Sequence, residues 1–423
     1  MLFLRPGIAF IDSLIAYIGV LSMIGLQIVG CKKALFRHQE KLLILINIEL
    51  VAYLLCFYFV FGGYQIFFII PSAFSNTLAT LVVFILYFIG IGAYHVGNEL
   101  YHLKKSQAFL KAYHELLFLL PFVVPFLLYR LFSDVFNTLI AQGAFRIHSQ
   151  FVSLATILLT SLFFIATIIV LPKLIVFAWR CRDLKDLRLI EKLEAISRSA
   201  DFKHAGFKVW TIMQDAINAA IVGILSRFRY IIFTEKLLNT LSLESIEAIL
   251  AHEIGHSKGK HLLFYPFVFF GMLLTPALFA LLIYVPVLQF LDFGAQIDLL
   301  ALNTGMESIF LFCLIAIIMA LYYRIIFGYF SRLFERQADL YVFELGLPGN
   351  NMVQALNEIS IASGYIHHVP NWHHYSIQQR IDFIHLASDN PTVIKRHHQK
   401  TKLSLLIYFL FFVVGLWVLW SQF

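Results

Sequence analysis

Eight apolar runs, each of about twenty residues or more, recur along this chain, at about 7–30, 42–62, 66–94, 115–133, 152–178, 262–291, 307–329 and 403–423. In lipid such a segment can satisfy its own backbone only as a helix. The runs therefore predict a mainly α fold, a polytopic membrane protein with about eight transmembrane helices. The composition agrees. Only 13% of the residues are charged and 60% are hydrophobic, whereas soluble domains carry roughly a quarter charged residues. The first run follows a single Arg and precedes no small-residue cleavage site, so it reads as an uncleaved span. The third, with Pro71 near its start, reads as one tilted span or as a span plus a re-entrant piece.

The net charge is +7. In a membrane protein such an excess marks the cytoplasmic loops, and no nucleic-acid-binding motif is present. The basic stretches are 31–41, 95–114, 180–198, 324–336 and 395–402. Alternating sides across the runs puts all of them on one face. The acidic 292–306 connection, which lacks Lys and Arg, falls on the other. The amino terminus is then outside, and the polar stretches flanking the sixth and seventh runs face the cytoplasm. The four cysteines (Cys31, Cys56, Cys181 and Cys313) form no C-x-x-C pair, which speaks against a disulfide framework or a cysteine zinc site.

One sizeable soluble stretch, about 180–261, interrupts the apolar pattern. It opens with a charge-dense amphipathic helix expected over 180–198. A strand is expected at 207–213, and a second at Tyr230–Thr234, which is short, β-branched and aromatic. Asn218 to Gly223 reads as a further, edge strand. Ser242 can cap the next helix, with Glu244 and Glu247 in its first turns. Beyond the seventh run, helices are expected at 331–346 and 351–363. The resulting division is a five-span region at 1–179, a first part of a soluble domain at 180–261, a two-span hairpin at 262–330, a second part of that domain at 331–402 and a last helix at 403–423.

The helix after Ser242 carries His252-Glu-Ile-Gly-His256. Spacing of four puts both imidazoles on one helical face, one turn apart. Two imidazoles so placed can hold one Zn²⁺, and Glu253 beside them can act on a metal-bound water. A catalytic zinc takes a third protein ligand. A third histidine ten residues after the first would fall at Leu262, and His261 is one residue off, so His261 reads as a helix-end residue at the membrane boundary. A carboxylate is the alternative, and Glu335 is the best placed. Asp339, one turn on, could hold a ligand histidine in the right tautomer. Arg332 and Arg336 offer the blander reading of a solvated charge cluster.

Asn218-Ala-x-x-x-Gly223, Ala251-His-Glu-Ile-Gly-His256 and Glu335-Arg-Gln-Ala-Asp339 occur in this order. Together they resemble the integral-membrane gluzincin metallopeptidases, the family that includes the CAAX prenyl proteases and the HtpX-type bacterial heat-shock proteases. His374-Tyr-Ser-Ile-Gln-Gln-Arg380 resembles that family's later His-Pro-x-x-x-x-Arg element, with Tyr375 in place of Pro and His373 adjacent. The resemblance implies a small α+β zincin-like domain at the cytoplasmic face of a bacterial inner membrane or endoplasmic reticulum membrane. It implies one Zn²⁺ per chain, held by His252, His256 and Glu335, with Glu253 as general base and then acid. His374 and Arg380 would serve the oxyanion, and Asn218 and Gly223 would receive an extended peptide. The substrate is then a peptide or membrane protein, either a prenylated CAAX tail or a protein marked for quality control. The competing class is an inactive scaffold or transporter with a structural histidine pair. His95, Glu99 and His102 also share a helical face, but at a span boundary, where an interfacial cluster explains them. Asp12, Asn47 and Glu49 are costly in lipid and read as facing the bundle interior.

Overall fold

The computed structural model describes residues 105–143, 149–212, 216–291, 306–364 and 375–421, together with Thr77, Leu78, Thr80, Leu81, Phe84, Ile85 and Phe88. The first two expected spans and most of the third lie outside the described residues. So do the His95, Glu99 and His102 group, the 292–305 part of the acidic connection, and both His373 and His374.

The described residues divide into two compact units: those up to 182 with 210–212 and 223–228, and those of 183–209, 216–222 and 229–421. Two helices make up most of the first, α1 (Lys105–Ala141) and α2 (Ser149–Ala178). They meet through aromatic rings: Tyr129 lies against Phe163 and Phe164, and Phe132 stacks on Phe163. An acid within α1, Asp134, accepts hydrogen bonds from the amide and the hydroxyl of Thr77, each at 2.8 Å. Large apolar side chains such as Ile157, Leu158 and Leu162 remain more than half exposed along α2. Surface of that kind is suited to lipid rather than water.

The second unit begins at the end of β1 (Arg182–Asp183) and continues with α3 (Leu187–Ser199). Arg180 takes a left-handed φ of +50°, which stops any helix there, and the Asp186 side chain accepts from Leu189 N to start α3. The amphipathic helix expected from 180 therefore begins seven residues later. The expected 207–213 strand is β2 (Gly206–Trp210). With β3 (Ala219–Val222) and β4 (Tyr230–Thr234) it builds a four-stranded sheet of order β1-β2-β4-β3. β3 pairs antiparallel with β4, Ala219 opposite Phe233 and Val222 opposite Tyr230, and lies at the sheet edge. After the short α4 (Glu235–Thr240) comes α5 (Leu243–Lys258). The Ser242 side chain caps α5 by accepting from Ser245 N. Glu358 anchors the same end by accepting from Ser242 N at 3.0 Å.

α5 is the element around which this unit is packed. α3 and β3 lie against it, as do α9 (Gly328–Asp339), α10 (Tyr341–Glu344) and α11 (Gly349–Ala362). Its Ile246, Leu250, Ala251 and Ile254 join Leu193, Phe233, Met352, Leu356 and Ile384 in one core. The remaining helices are α6 (His261–Phe279), which passes through a π-helical turn (Ala280–Tyr284) into α7 (Val285–Leu291), then α8 (Met306–Tyr322), α12 (Ile377–Asp389) and α13 (Thr392–Trp420).

Among the described residues five helices are long and apolar enough to cross a membrane: Leu116–Ala141, Phe151–Ala178, His261–Val287, Leu314–Glu344 and Thr392–Trp420. They coincide with the fourth to eighth apolar runs, and the protein is an integral membrane protein. Three boundaries differ from expectation. α1 continues eight residues past the fourth run, to Ala141. α8 continues through a π-helical stretch (Tyr323–Phe327) into α9, so the seventh span and the polar helix after it are one rod. α13 begins about ten residues before its apolar run, because its polar first turns pack on α9, with His397 Nε2 3.0 Å from Leu333 O.

Candidate metal centre

His252 and His256 come from the middle of α5, and Glu335 from α9. Their ligand atoms all lie within 4.8 Å of one another. The two Nε2 atoms face each other at 3.1 Å, and the Glu335 carboxylate lies 3.5 Å from His256 Nε2 and 3.9 Å from His252 Nε2. His252 and Glu335 are buried, and His256 is partly exposed. Two imidazoles and a carboxylate, with both Nε2 atoms turned inward, fit a borderline divalent ion such as Zn²⁺. Among the described residues this is the one group that could hold a metal.

The close approach of α5 and α9 depends on Gly255, which lies between the two histidines. A Cβ there would meet Tyr341 Cβ at 2.8 Å and Ala338 Cα at 3.1 Å. Any larger residue holds the carboxylate of one helix away from the imidazoles of the other.

His252 is held from behind by a buried ion pair. Its Nδ1 lies 2.9 Å from Asp339 Oδ1 and donates to it. Asp339 is in turn gripped by Arg380 of α12, with Nε to Oδ2 at 2.8 Å and Nη2 to Oδ1 at 2.6 Å. Arg380 Nη1 lies 3.6 Å from Glu335 Oε2. Burial works against the Arg380 charge, but Asp339 more than offsets it and holds the guanidinium firmly protonated. Such a two-bond fork adds geometric specificity to the charge pairing. Burial pushes the Glu253 carboxyl above its usual range, against the opposing pull of His252 and His256. Burial also disfavours charge on His256, yet its hydrogen bond to Glu335 and the charges of Glu335, Glu253 and Asp339 raise it overall.

The model of peptidase family M48 matches residues 183–415, more than half of the chain. The protein belongs to peptidase family M48. It is therefore a membrane metallopeptidase, and the cluster lies within the matched residues. This M48 peptidase is also similar to the crystal structure of S. mikatae Ste24p, at 14% identity over 88% of this chain and 98% of that one, with a TM-score of 0.48. No curated protein sequence matches it.

The structure of the M48 peptidase brings together five of the sequence-predicted residues: His252, His256, Glu335, Asp339 and Arg380. Glu253 follows His252 on α5. Arg380 points at Asp339 and Glu335, an orientation that the sequence reading, which gave it to the oxyanion, did not include. Asn218 directly precedes β3; its Oδ1 accepts from Ala219 N, and its backbone pairs with Thr234. Gly223 directly follows β3 with a φ of +111°, which favours glycine. His374 lies outside the described residues. The sequence reading missed Gly255, Gln337 and the role of His261, whose ring is buried and stacked on Phe334. Only the helix-to-helix packing brings those three into play.

Proposed function

We propose that this M48 peptidase is a zinc-dependent endopeptidase working at the cytoplasmic face of a bacterial inner membrane or endoplasmic reticulum membrane. The observation that carries the reading is the convergence of His252, His256 and Glu335, three donors from two helices and two distant stretches of sequence, within 4.8 Å. A Zn²⁺ held by them would supply Lewis acidity to the attacking water and to the scissile carbonyl. Glu253 takes a proton from that water on its carboxylate and returns it to the leaving amine nitrogen. A carboxyl whose proton affinity is raised by burial suits both transfers. Asp339 keeps the His252 proton on Nδ1, and Arg380 keeps Asp339 in place. Oxyanion stabilisation is assigned to His374 and to the Nη1 edge of Arg380.

The substrate is a peptide or membrane protein bound in extended form along β3, between Asn218 and Gly223. A strand at a sheet edge can be extended by an added strand, and β3 packs against the helix that carries the histidines. The cytoplasmic orientation rests on the basic loops that share a face.

The test is purification in detergent with metal analysis and a peptidase assay. Glu253→Gln should keep its zinc and lose cleavage. Unchanged cleavage would remove Glu253 from the chemistry and reopen the scaffold or transporter reading. Glu335→Ala should lose the metal; normal zinc content there would place the third ligand elsewhere.

A further inference from the structure

Among the described residues, no carboxylate stands behind His256. Its Nδ1 instead lies 2.9 Å from Nδ1 of His261, the first residue of α6. His261 Nε2 lies 3.1 Å from Gln337 Oε1, and Gln337 Nε2 lies 2.8 Å from His398 Nδ1. Beyond it, His398 Nε2 stands 3.1 Å from Glu344 Oε1, at ion-pair distance but not aligned as a hydrogen bond.

Such a chain of neutral groups can be polarised in only two ways. In the first, His256 Nδ1–H donates to His261 Nδ1, His261 Nε2–H to Gln337 Oε1, and the Gln337 amide to His398 Nδ1. His398 then carries its proton on Nε2, facing the Glu344 carboxylate. In the second, every donor reverses and the amide flips. His398 would then present a bare Nε2 lone pair to that carboxylate, and His256 would carry its proton on Nε2, where it blocks a metal. The negative charge of Glu344 favours the first; Glu335, 3.5 Å from His256 Nε2, favours the second until a metal takes that nitrogen.

The position of His261 is built into the chain. A Cβ on Gly259 would run into the His261 ring. Lys260 takes a left-handed φ of +56°, which turns the backbone between α5 and α6. The His261 ring stacks on Phe334, centroids 4.1 Å apart and planes 8° apart. It is 2% exposed.

We infer that His261, Gln337 and His398 are positioning residues that hold the Nδ1-protonated tautomer of His256, leaving its Nε2 lone pair free for the metal. This rests on the metal-centre reading above and adds to it a support for the second histidine. Groups that orient a ligand histidine from behind typically change metal affinity about 10–100-fold when removed.

The test is the Zn²⁺ affinity of the full-length protein in detergent, measured by competition with a chromophoric chelator, beside the thermal midpoint of the metal-free form. His261→Phe keeps the stacking surface and removes both nitrogens; Gln337→Leu removes both amide partners. Each should bind Zn²⁺ about 10–100-fold more weakly. Gln337→Glu keeps an acceptor for His261 Nε2–H and should recover most of that loss, a rescue that simple packing would not give. Should His261→Phe fail to fold, the two Gln337 variants decide the matter. Wild type that holds no zinc overturns the metal centre and the support together. Wild type that holds zinc while Gln337→Leu binds it equally well, or Gln337→Glu binding no better than Gln337→Leu, overturns the support alone.

Discussion

His252 and His256 are one helical turn apart on the same face of α5 and carry the same side chain, yet they are held in different ways. Behind His252 stands a charged pair, Asp339 forked on Arg380, both groups within 2.9 Å of their partners. Behind His256 stands a run of neutral groups, His261, Gln337 and His398, that reaches charge only at Glu344. The first is short, strong and intolerant of change, because removing one ion leaves another buried without its closest partner. The second spreads the same task over three helices, and each of its members is cheaper to lose. The lesson is that two histidines on one helical face need not have equivalent supports; the support follows from what each side of the helix packs against.

The comparison can be broken hardest at Asp339. Asp339→Ala takes both short bonds from the buried Arg380 charge, leaving it only Glu335 at 3.6 Å, and frees the His252 ring. It should cost about 3–5 kcal/mol of stability and abolish zinc binding, as read by denaturant unfolding and metal content. A loss no greater than that of Gln337→Leu would erase the distinction between the two supports.

Gly255→Ala tests what both supports share, the close contact of α5 with α9. The added methyl meets Tyr341 Cβ at 2.8 Å, so overpacking should cost about 1–3 kcal/mol. Because the Glu335 carboxylate moves away from both histidines together, zinc affinity should fall even in protein that stays folded. Wild-type affinity in this variant would mean that the gap can relax without disturbing the ligands.

Acid sharpens the difference between the histidines. The pKa of His256 is raised above its ordinary 6.5 by Glu335, Glu253 and Asp339 against the effect of burial. In metal-free protein that proton contributes stability, fully present below the unfolded value near 6.5 and lost as pH rises through the folded value. Zinc competes with the same proton, so zinc affinity rises with pH until His256 is neutral. Below the raised pKa it should fall about tenfold per pH unit, since a ligand imidazole must be deprotonated. A flat affinity across that range would show that His256 does not bind as a neutral imidazole.

The smallest effect is expected at the far end of α5. Glu358 accepts from Ser242 N and from Gln354, and although burial alone would raise its carboxyl, these bonds lower it below the usual range. Its contribution is present above the unfolded value near 4.5 and is lost as pH falls through the folded one. Glu358→Ala should remove about 1 kcal/mol near neutral pH, leaving zinc affinity unchanged. A drop in affinity would instead couple the helix cap to the metal centre.

Much of this was legible in the chain. Apolar run length announces the five membrane helices among the described residues, because lipid admits few other solutions for a backbone. Tyr230–Thr234 and the Ser242 cap declare themselves through side-chain chemistry that acts within a few residues. Spacing of four puts His252 and His256 on one face, and the Glu335 and Asp339 pair could be picked out by type and order. What the sequence could not supply was everything that depends on two helices meeting. Arg380 lies 41 residues from Asp339, and its fork was visible only when α12 packed on α9. Gly255 gives no sign in the sequence of the helix that stands against it. His261 looked like a helix end until a left-handed Lys260 turned its ring back onto His256. Helical periodicity fixed which side chains share a face, because that is a property of one helix. Which face meets which partner, and so which group holds each histidine, was decided by packing between elements far apart in the chain.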